Sequence, residues 1–358
     1  MNEHVPVPVI HRAHDDLHRF IAALFASAGL DTDKAECVAK NLVLTDMMGR
    51  ATHGLAQCGA YLNEIANDGM TKRGAPQIIR DTGVTIVWDG NYLPGLWLMD
   101  RALSLGFERL PQHGVVTFSI RRSHHIGCLA AIAKQATDRG YFAMIASSGP
   151  HTEAVAPFGG KRGLFSPNPF AIGFPTTSSA VLVDICASLT TISVVREKTA
   201  ANQPLEHAWA LDSVGRPTRD PSVIERPSDR GSLLLLGGAE AGHKGFGLAL
   251  MVEALTQGLS GFGRKDAPTR WGASVYLQLI DPQAFAGHDA FIEQTGFFAD
   301  ACRNNPAIDP DRPVRLPGDQ AQRSIERCRI EGVPVSAITR RTLRDWADKL
   351  GVDASVLN

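Results

Sequence analysis

The sequence predicts a protein of the α/β class. Short apolar runs typical of buried strands, at residues 84–89, 115–120, 142–147 and 273–280, alternate with stretches whose apolar residues recur at helical spacing. The chain has 358 residues, of which 44% are hydrophobic and 20% charged, and it contains no internal repeat. Such a chain is long enough to bury a sizeable core in one large domain or two.

Two amphipathic helices are predicted near the N-terminal end, over residues 13–48. A polar segment with a glycine at each end follows at residues 49–54, and helical spacing then resumes. This pattern places His53 in a polar turn at or near a helix start, where a packed core histidine is less common. An imidazole in such a turn is a candidate proton donor, because histidine titrates near neutral pH.

The next unit is a strand, a polar turn and a helix. The strand at residues 115–120 leads into the turn at residues 121–127, and apolar residues then follow at helical spacing. In open α/β sheets, turns at the carboxyl ends of strands are where ligands bind. Adjacent side chains diverge, so at most one of His124 and His125 is expected to face a site.

Two further apolar runs, residues 170–174 and 181–185, are predicted to be buried strands, and the second contains one carboxylate, Asp184. A carboxylate among apolar residues is costly to bury unless hydrogen bonds or a cation compensate for its lost hydration. Asp184 could cap the segment that follows it, or it could orient a catalytic histidine. The local pattern leaves both interpretations open.

Residues 199–232 are rich in Pro, Asp, Arg and Ser, and they are predicted to form a long surface excursion. A glycine-rich loop at residues 237–247 is then expected to enter a helix. Backbone N–H groups at a helix start, with Lys244 beside them, suit a phosphate or another anion. Residues 281–305 look helical, and a last amphipathic helix is predicted at residues 339–350.

Composition argues against several classes of function. The formal net charge is -1 and the basic residues are scattered, so no nucleic-acid or membrane partner is expected. The six cysteines form no CxxC pair, which predicts no metal site and fits a reducing cytoplasm. The segment Met1 to Pro8 lacks the pattern of an export signal, and no apolar run is long enough to span a bilayer. A small-molecule substrate is the expected partner.

The most common nucleotide and nucleophile motifs are absent from the chain. Neither GxGxxG after a first strand nor GxxxxGK[ST] occurs, which argues against a standard Rossmann protein and a P-loop NTPase. GxSxG is also missing, which weakens the case for a hydrolase.

Five short motifs in a fixed order carry a sharper signal than any one alone. They are Thr-His-Gly at 52–54, Ser-His-His-Ile-Gly at 123–127, Pro-Asn-Pro at 167–169, Val-Asp at 183–184 and Gly-His-Lys-Gly at 242–245. With them the chain resembles the malate/L-lactate dehydrogenase family that is unrelated to the Rossmann-type dehydrogenases. The resemblance extends from the N-terminal helices to Arg-Leu-Pro-Gly at 315–318. That family includes oxidoreductases for malate, lactate, sulfolactate, ureidoglycolate and diketogulonate, and reductases for cyclic imino acids.

The resemblance implies a three-layer α/β/α fold with a mixed sheet and a nucleotide-binding topology of its own. It also implies NAD or NADP as the cofactor and a homodimer whose active sites lie near the subunit interface. We predict a division into a helical part, residues 1–115 joined with 300–358, and a nucleotide-binding α/β domain, residues 116–299.

The resemblance also assigns site residues. The family's proton-donating histidine falls on His53, with Thr52 in a relay and Asp184 as the carboxylate that favours the protonated imidazole. The substrate-binding positions fall on Gln57, Asn168 and His125. The cofactor-binding positions fall on Ser123, His125, Ile126, Gly127, Cys128, Leu129, Val183, Ile185, His243, Lys244, Arg315 and Gly318.

The sequence departs from the family pattern at two of these places. Four residues after the motif histidine the family carries an arginine that grips the substrate carboxylate, and here the residue is Gln57, a neutral donor. Pro167 replaces the threonine of the family's Thr-Asn-Pro. Either another cation, of which Arg50 is the nearest in sequence, binds the carboxylate, or the substrate is larger or differently charged.

The predicted function is hydride transfer between a nicotinamide cofactor and a small 2-hydroxy or 2-oxo acid. A cyclic imino acid reductase is the alternative with the same chemistry. A Thr/His/Asp hydrolase is disfavoured, because the neighbouring side chains of Thr52 and His53 are expected to have difficulty facing each other. A catalytically silent nucleotide-binding protein is disfavoured by the presence of His53, Asp184 and Lys244.

Overall fold

A computed structural model describes residues 9–358, which form ten α-helices and twelve β-strands. The helices are α1 (His14–Ser27), α2 (Thr32–Met47), α3 (Cys58–Ala66), α4 (Gly95–His113), α5 (Leu129–Thr137), α6 (Ile192–Ala200), α7 (Gly238–Glu253), α8 (His288–Arg303), α9 (Asp319–Glu331) and α10 (Ala337–Leu350). The strands are β1 (Ile10–Arg12), β2 (Gln77–Asp81), β3 (Thr85–Asp89), β4 (Val115–Ser123), β5 (Phe142–Ser148), β6 (Pro169–Phe174), β7 (Val181–Cys186), β8 (Ala210–Leu211), β9 (Pro217–Thr218), β10 (Ser232–Leu233), β11 (Ala273–Ile280) and β12 (Val333–Val335). The segment Met1 to Pro8, from which we predict no export signal, lies outside the described residues.

The centre of the fold is a seven-stranded sheet with the strand order β2-β3-β4-β11-β5-β6-β7. Its strands pair antiparallel except β3 and β4, which are parallel and are joined by α4. The sheet is therefore mixed, as predicted. Strand β7, which carries Asp184, lies at one edge of the sheet.

Helices cover both faces of the sheet, and the alternation of side chains along the strands explains how. Ala143 and Ile145 of β5 belong to the main core with α4 and α5, whereas Met144 and Ala146 face the opposite side with Val252 of α7. The predicted three-layer α/β/α architecture is confirmed.

The N-terminal helices belong to the same core as one face of the sheet. Phe25 of α1 and Leu42 of α2 are fully buried in the cluster that also contains Phe118 of β4. Helix α2 ends at Met47, and Gly49 two residues later has a φ of 74°, which glycine adopts at little cost, and donates its N–H to the carbonyl of Asp46. The chain then turns sharply, and this turn carries the motif histidine.

Two stretches differ from the sequence-based expectation. Residues 199–232 hold the small β8, β9 and β10 sheet, and Leu205 and Ile224 in this stretch are buried in a second apolar cluster. The polar composition concealed these isolated anchors, so the prediction of a surface excursion was wrong in part. The glycine-rich segment is already helical from Gly238, but the helix breaks at Ala241 (φ -118°, ψ 18°), so Gly242 begins a new helical run.

The predicted division into two parts is not resolved by the contacts within the fold. Strands β2 and β3 lie within residues 1–115 and nevertheless belong to the central sheet. The division therefore stays a prediction. Within residues 9–358, no helix is long and apolar enough to cross a bilayer.

Candidate active site

The segment between α2 and α3 presents the motif histidine. Two short helical turns, Ala51–His53 and Leu55–Gln57, lie on either side of Gly54. The N–H of His53 donates to the carbonyl of Arg50 (2.9 Å), and the N–H of Gln57 donates to that of Gly54 (2.9 Å). These backbone bonds fix the segment where the two helices meet.

Thr52 and His53 do face each other. The hydroxyl Oγ1 of Thr52 lies 3.0 Å from Nδ1 of His53, a hydrogen-bonding distance. The expectation that these neighbouring side chains would have difficulty facing each other was wrong, because the tight turn brings both to the same side. The contact occupies Nδ1 and leaves Nε2 as the ring atom that can serve a ligand.

Asp184 is held by the beginning of α5. Its Oδ2 accepts a hydrogen bond from the N–H of Ala130 (2.9 Å) and a longer one from Sγ of Cys128 (3.6 Å). Burial, and then the nearby Asp184, raise the pKa of Cys128 to about 12, so its thiol keeps the proton that it donates. A helix N-terminus favours a carboxylate, and this explains how Asp184 is accommodated in an otherwise apolar strand.

Two charged groups act on His53. Burial lowers the pKa of His53; Asp184 partly offsets this by favouring the imidazolium, and Arg50 lowers the pKa further. Asp184 thus acts in the expected direction, but burial outweighs it, so the net pKa of His53 is lowered. The structure therefore brings Thr52, His53 and Asp184 together, with Arg50 as the cation beside them.

His125 completes one wall of this cluster. Its ring stacks on that of His53 with centroids 6.0 Å apart, and its Nδ1 lies 2.7 Å from the hydroxyl of Tyr61. Burial lowers the pKa of His125 to about 3 and raises that of Tyr61, so a neutral ring accepts from a protonated phenol. The ring proton of His125 is then on Nε2, which makes it a hydrogen-bond donor.

Two connected cavities lie beside the cluster. The smaller, about 320 Å³, is lined by Arg50, Ala130, Leu182, Gly318 and Arg327. The larger cavity, about 500 Å³, shares Leu182 and Gly318 with the smaller one and is also lined by Thr176, Ser179 and Gln322. Together they form a polar groove that begins next to the residues that hold Asp184.

The groove has features that suit a dinucleotide. A side chain at Gly318 (φ 105°) would come within 2.9 Å of the carbonyl of Ala180, so only glycine lets this loop lie on β7. Helices α5 and α9 both begin at the groove, and their N–H groups favour an anion. Arg50 and Arg327 line it with no ion pair to any residue that the structure describes. These residues fit a diphosphate.

Gln57 uses one N–H of its side-chain amide within its own turn. Its Nε2 donates to the carbonyl of Thr52 (2.6 Å), so the side chain braces the turn that carries His53. The sequence correctly identifies Gln57 as a neutral donor, but in this structure its amide N–H faces the protein's own backbone.

Several residues assigned from the resemblance lie away from the cluster. Asn168 is fully buried, and its amide bonds Ala249, Glu253 and Ser166. His243 and Lys244 are exposed, and His243 packs against Phe158, 5.9 Å between ring centroids. Arg315 bonds Gln320 (3.2 Å). The roles of these four residues stay predictions.

The remaining assigned positions lie on the strands and turns next to the cluster, and most of their side chains face the core or the neighbouring backbone. Ser123 donates its hydroxyl to the carbonyl of His124 (2.7 Å), and Ile126 and Leu129 are buried in the core. Gly127 has a φ of 68°, which turns the chain into α5. The residues on either side of Asp184, Val183 and Ile185, point to the opposite face of the sheet, because side chains alternate along a strand.

The sequence did not identify the aromatic wall. Trp271 lies 5.5 Å from His125 and 4.7 Å from His124 between ring centroids. Glu64 approaches Nε2 of the buried His124 (3.4 Å), whose Nδ1 has no partner among the described residues. An aromatic residue in the polar turn before β11 is the only sequence signal that pointed to Trp271, and it is a weak one.

Comparison with known proteins shows the family of the chain. The family model described as malate/L-lactate dehydrogenase matches residues 13–344. The hydroxycarboxylate dehydrogenase B of Escherichia coli O157:H7 is 28% identical over 95% of this chain and 94% of its own. The (2R)-3-sulfolactate dehydrogenase (NADP(+)) of Chromohalobacter salexigens is 30% identical over 91% of this chain and 95% of its own.

Solved structures share the fold. The malate dehydrogenase of Entamoeba histolytica superposes with a TM-score of 0.90 at 21% identity, over 97% of this chain and 99% of that one. The delta1-piperideine-2-carboxylate reductase of Pseudomonas syringae superposes with a TM-score of 0.82 at 23% identity, over 94% and 100%. At these identities the likeness concerns the fold alone.

The chain belongs to the malate/L-lactate dehydrogenase family. This confirms the predicted family. It also confirms the predicted class of enzyme, an oxidoreductase that transfers a hydride between a nicotinamide cofactor and a hydroxy or oxo acid.

Proposed function

We propose that the chain interconverts a small 2-oxo acid and its 2-hydroxy acid with NAD or NADP, and that His53 is the proton donor. The observation that carries the proposal is the cluster of Thr52, His53 and Asp184 beside a groove lined by two arginines without an ion pair to any described residue. When bound, the nicotinamide cofactor supplies or accepts the hydride. The chain's own residues manage the proton and the substrate charge.

His53 handles the proton through Nε2. Reduction of a carbonyl carbon leaves negative charge on its oxygen, which an imidazolium beside it neutralises by donating a proton. Asp184, whose Oδ2 is anchored on the start of α5, favours the imidazolium through its charge. In the oxidation direction the neutral imidazole accepts the proton of the hydroxyl.

Arg50 is proposed to bind the substrate carboxylate in place of the family's arginine. It is the cation that acts on His53, and it forms no ion pair within residues 9–358, whereas Gln57 is committed to the carbonyl of Thr52. Arg327 also lines the small cavity but is not among the groups that shift the pKa of His53. With Gly318 and the starts of α5 and α9, it is proposed to hold the cofactor diphosphate.

A cyclic imino acid reductase is the second candidate, supported by the shared fold of the piperideine-carboxylate reductase. The test is oxidation of NADH and of NADPH against matched 2-oxo acids and cyclic imino acids. The proposal predicts turnover with one cofactor and a 2-oxo acid. Turnover confined to the pyrroline- and piperideine-carboxylates favours the reductase, and no turnover with either class contradicts both.

The chain is further proposed to act as a homodimer in the cytoplasm. Helix α7 buries Gly245, Ala249 and Val252, yet it also exposes Leu250 and Met251. A helix that is apolar on both sides is usually covered on both, and a second copy would cover it. Light scattering should give twice the chain mass, and Leu250→Glu should give the monomer.

The proposed cytoplasmic location is supported by the cysteines. All six cysteines are free, which is typical of a reducing compartment.

A further inference from the structure

A buried carboxyl group lies beneath the turn that carries His53. Asp46 is in the last turn of α2, only 6% exposed, and forms no ion pair with any residue in the described part of the chain. An unpaired buried carboxyl is costly, so its presence calls for a structural reason. Neither the groove nor the roles proposed above for Arg50 and Asp184 explain why a carboxyl group is buried here.

The contacts of Asp46 supply one. Its Oδ2 accepts a hydrogen bond from the N–H of Leu55, two residues after His53. The same carboxylate occupies the space in which a side chain at position 54 would lie, so a methyl group on Gly54 would overlap it. The carbonyl of Asp46 also accepts the N–H of Gly49 (2.8 Å). Asp46 thus holds both ends of the segment 49–55, which contains His53.

We propose that Asp46 is a positioning residue whose carboxyl group fixes the Gly54–Leu55 backbone and thereby sets the place of the His53 imidazole opposite Asp184. This inference rests on the role proposed for His53. Asp46 does not line the groove, so it acts through the backbone of the turn.

The surroundings of Asp46 determine how it ionises. The titratable groups that face it are the thiols of Cys58 on α3 and Cys328 on α9, and burial raises the pKa of both. No cation among residues 9–358 offsets the burial of Asp46, which raises its pKa to about 7; the hydrogen bond from Leu55 lowers it only in part. The carboxyl group of Asp46 is therefore neutral below about pH 7 and charged above it.

The test compares Asp46→Leu, which removes the acceptor at similar volume, with Asp46→Asn, which keeps an acceptor oxygen. The control is Thr45→Val, which removes a buried hydroxyl bonded within α2 in the same turn. We measure the NMR titration of the His53 ring, assigned by its loss in His53→Gln, together with kcat, KM and cofactor affinity.

The inference predicts that Asp46→Leu shifts the His53 titration by about half a pH unit or more and lowers kcat about tenfold or more, with cofactor affinity nearly unchanged. Asp46→Asn and Thr45→Val should keep kcat within about threefold of the wild type. A folded Asp46→Leu variant with the wild-type His53 titration and kcat would overturn the inference.

A second pair keeps the inference testable if Asp46→Leu does not fold. Gly54→Ala should disturb the His53 titration, because the methyl group meets the Asp46 carboxylate, and Asp46→Ala with Gly54→Ala should be no worse than Gly54→Ala alone. Additive losses, or an undisturbed titration in Gly54→Ala, contradict it. The titration needs no turnover, so an enzyme inactive on every 2-oxo acid would refute the proposed function and leave this result to be decided separately.

Discussion

At the scale of single residues, the environment of His53 distinguishes this site from a surface histidine. The ring is partly buried, bonded to Thr52 and influenced by Asp184 and Arg50. Motif order in the sequence predicts roles for His53 and Asp184, and the structure brings the two residues into one cluster. The opposing influence of burial was not visible in the sequence, because desolvation depends on which distant segments pack around the ring.

His53→Ala should lower turnover by about 10² to 10⁴ and leave cofactor affinity nearly unchanged, because the variant loses the proton donor but no groove contact. Steady-state rates and cofactor fluorescence measure the two effects. Near-normal turnover would remove His53 from the mechanism.

The pH dependence follows from the lowered pKa of His53. Reduction requires the imidazolium, so its kcat/KM should fall as pH rises through a pKa below the ordinary value of about 6.5. Oxidation requires the neutral ring, so its kcat/KM should rise through the same pKa. Profiles of the two directions that do not share this pKa would contradict the assignment.

Arg50→Gln should raise KM for the 2-oxo acid about tenfold or more, because a charge-assisted hydrogen bond contributes about 1.5 to 3 kcal/mol. Arg327→Gln is the matched control in the same cavity, and it should weaken cofactor binding and leave KM for the 2-oxo acid nearly unchanged. Gln57→Arg should give no gain if Arg50 already binds the carboxylate. A gain of about tenfold in that variant would return the role to position 57.

At the scale of elements, the site depends on where α5 and α9 begin. The start of α5 holds Asp184, and the loop before α9 lies on β7 through the bond from Leu182 N–H to the carbonyl of Pro317 (2.8 Å). Periodicity predicted α5 but gave no sign that its first turn is the partner of Asp184. Pairing between distant segments is set by the tertiary fold, which local patterns do not encode.

Gly318→Ala tests the junction between β7 and α9. The added methyl group would approach the carbonyl of Ala180, and φ at this position suits glycine, so the variant should lose about 1 to 3 kcal/mol of stability or displace the loop. Cofactor affinity should fall with it, while the His53 titration stays. Denaturant unfolding and nucleotide binding measure the change, and an unaffected cofactor affinity would place the dinucleotide elsewhere.

At the scale of the whole molecule, the sequence predicted the α/β class and most of the central strands, because buried strands and amphipathic helices have strong local periods. The single parallel pair within a mixed sheet and the second core under residues 199–232 depend on long-range packing. They were accessible only through the resemblance or not at all.

Stability should depend on pH through Asp46, whose pKa rises from 3.8 to about 7 on folding. An acid with a raised pKa binds more protons folded than unfolded, so stability falls as pH rises from about 4 through about 7, by a few kcal/mol at most. Asp46→Asn should remove this part of the fall. Thermal unfolding of both proteins between about pH 5 and pH 8 measures it, and parallel curves would contradict the buried ionisation.

The most direct test of the central claim follows the hydride itself. Cofactor carrying deuterium at the transferable position of its nicotinamide should yield a 2-hydroxy acid with one deuterium on the carbinol carbon, detected by mass spectrometry and NMR. The wild type should transfer the label, and His53→Ala should transfer it to the same carbon at a rate lower by about 10² or more. A 2-hydroxy acid formed without the label, or transfer unaffected by the loss of His53, would contradict the account.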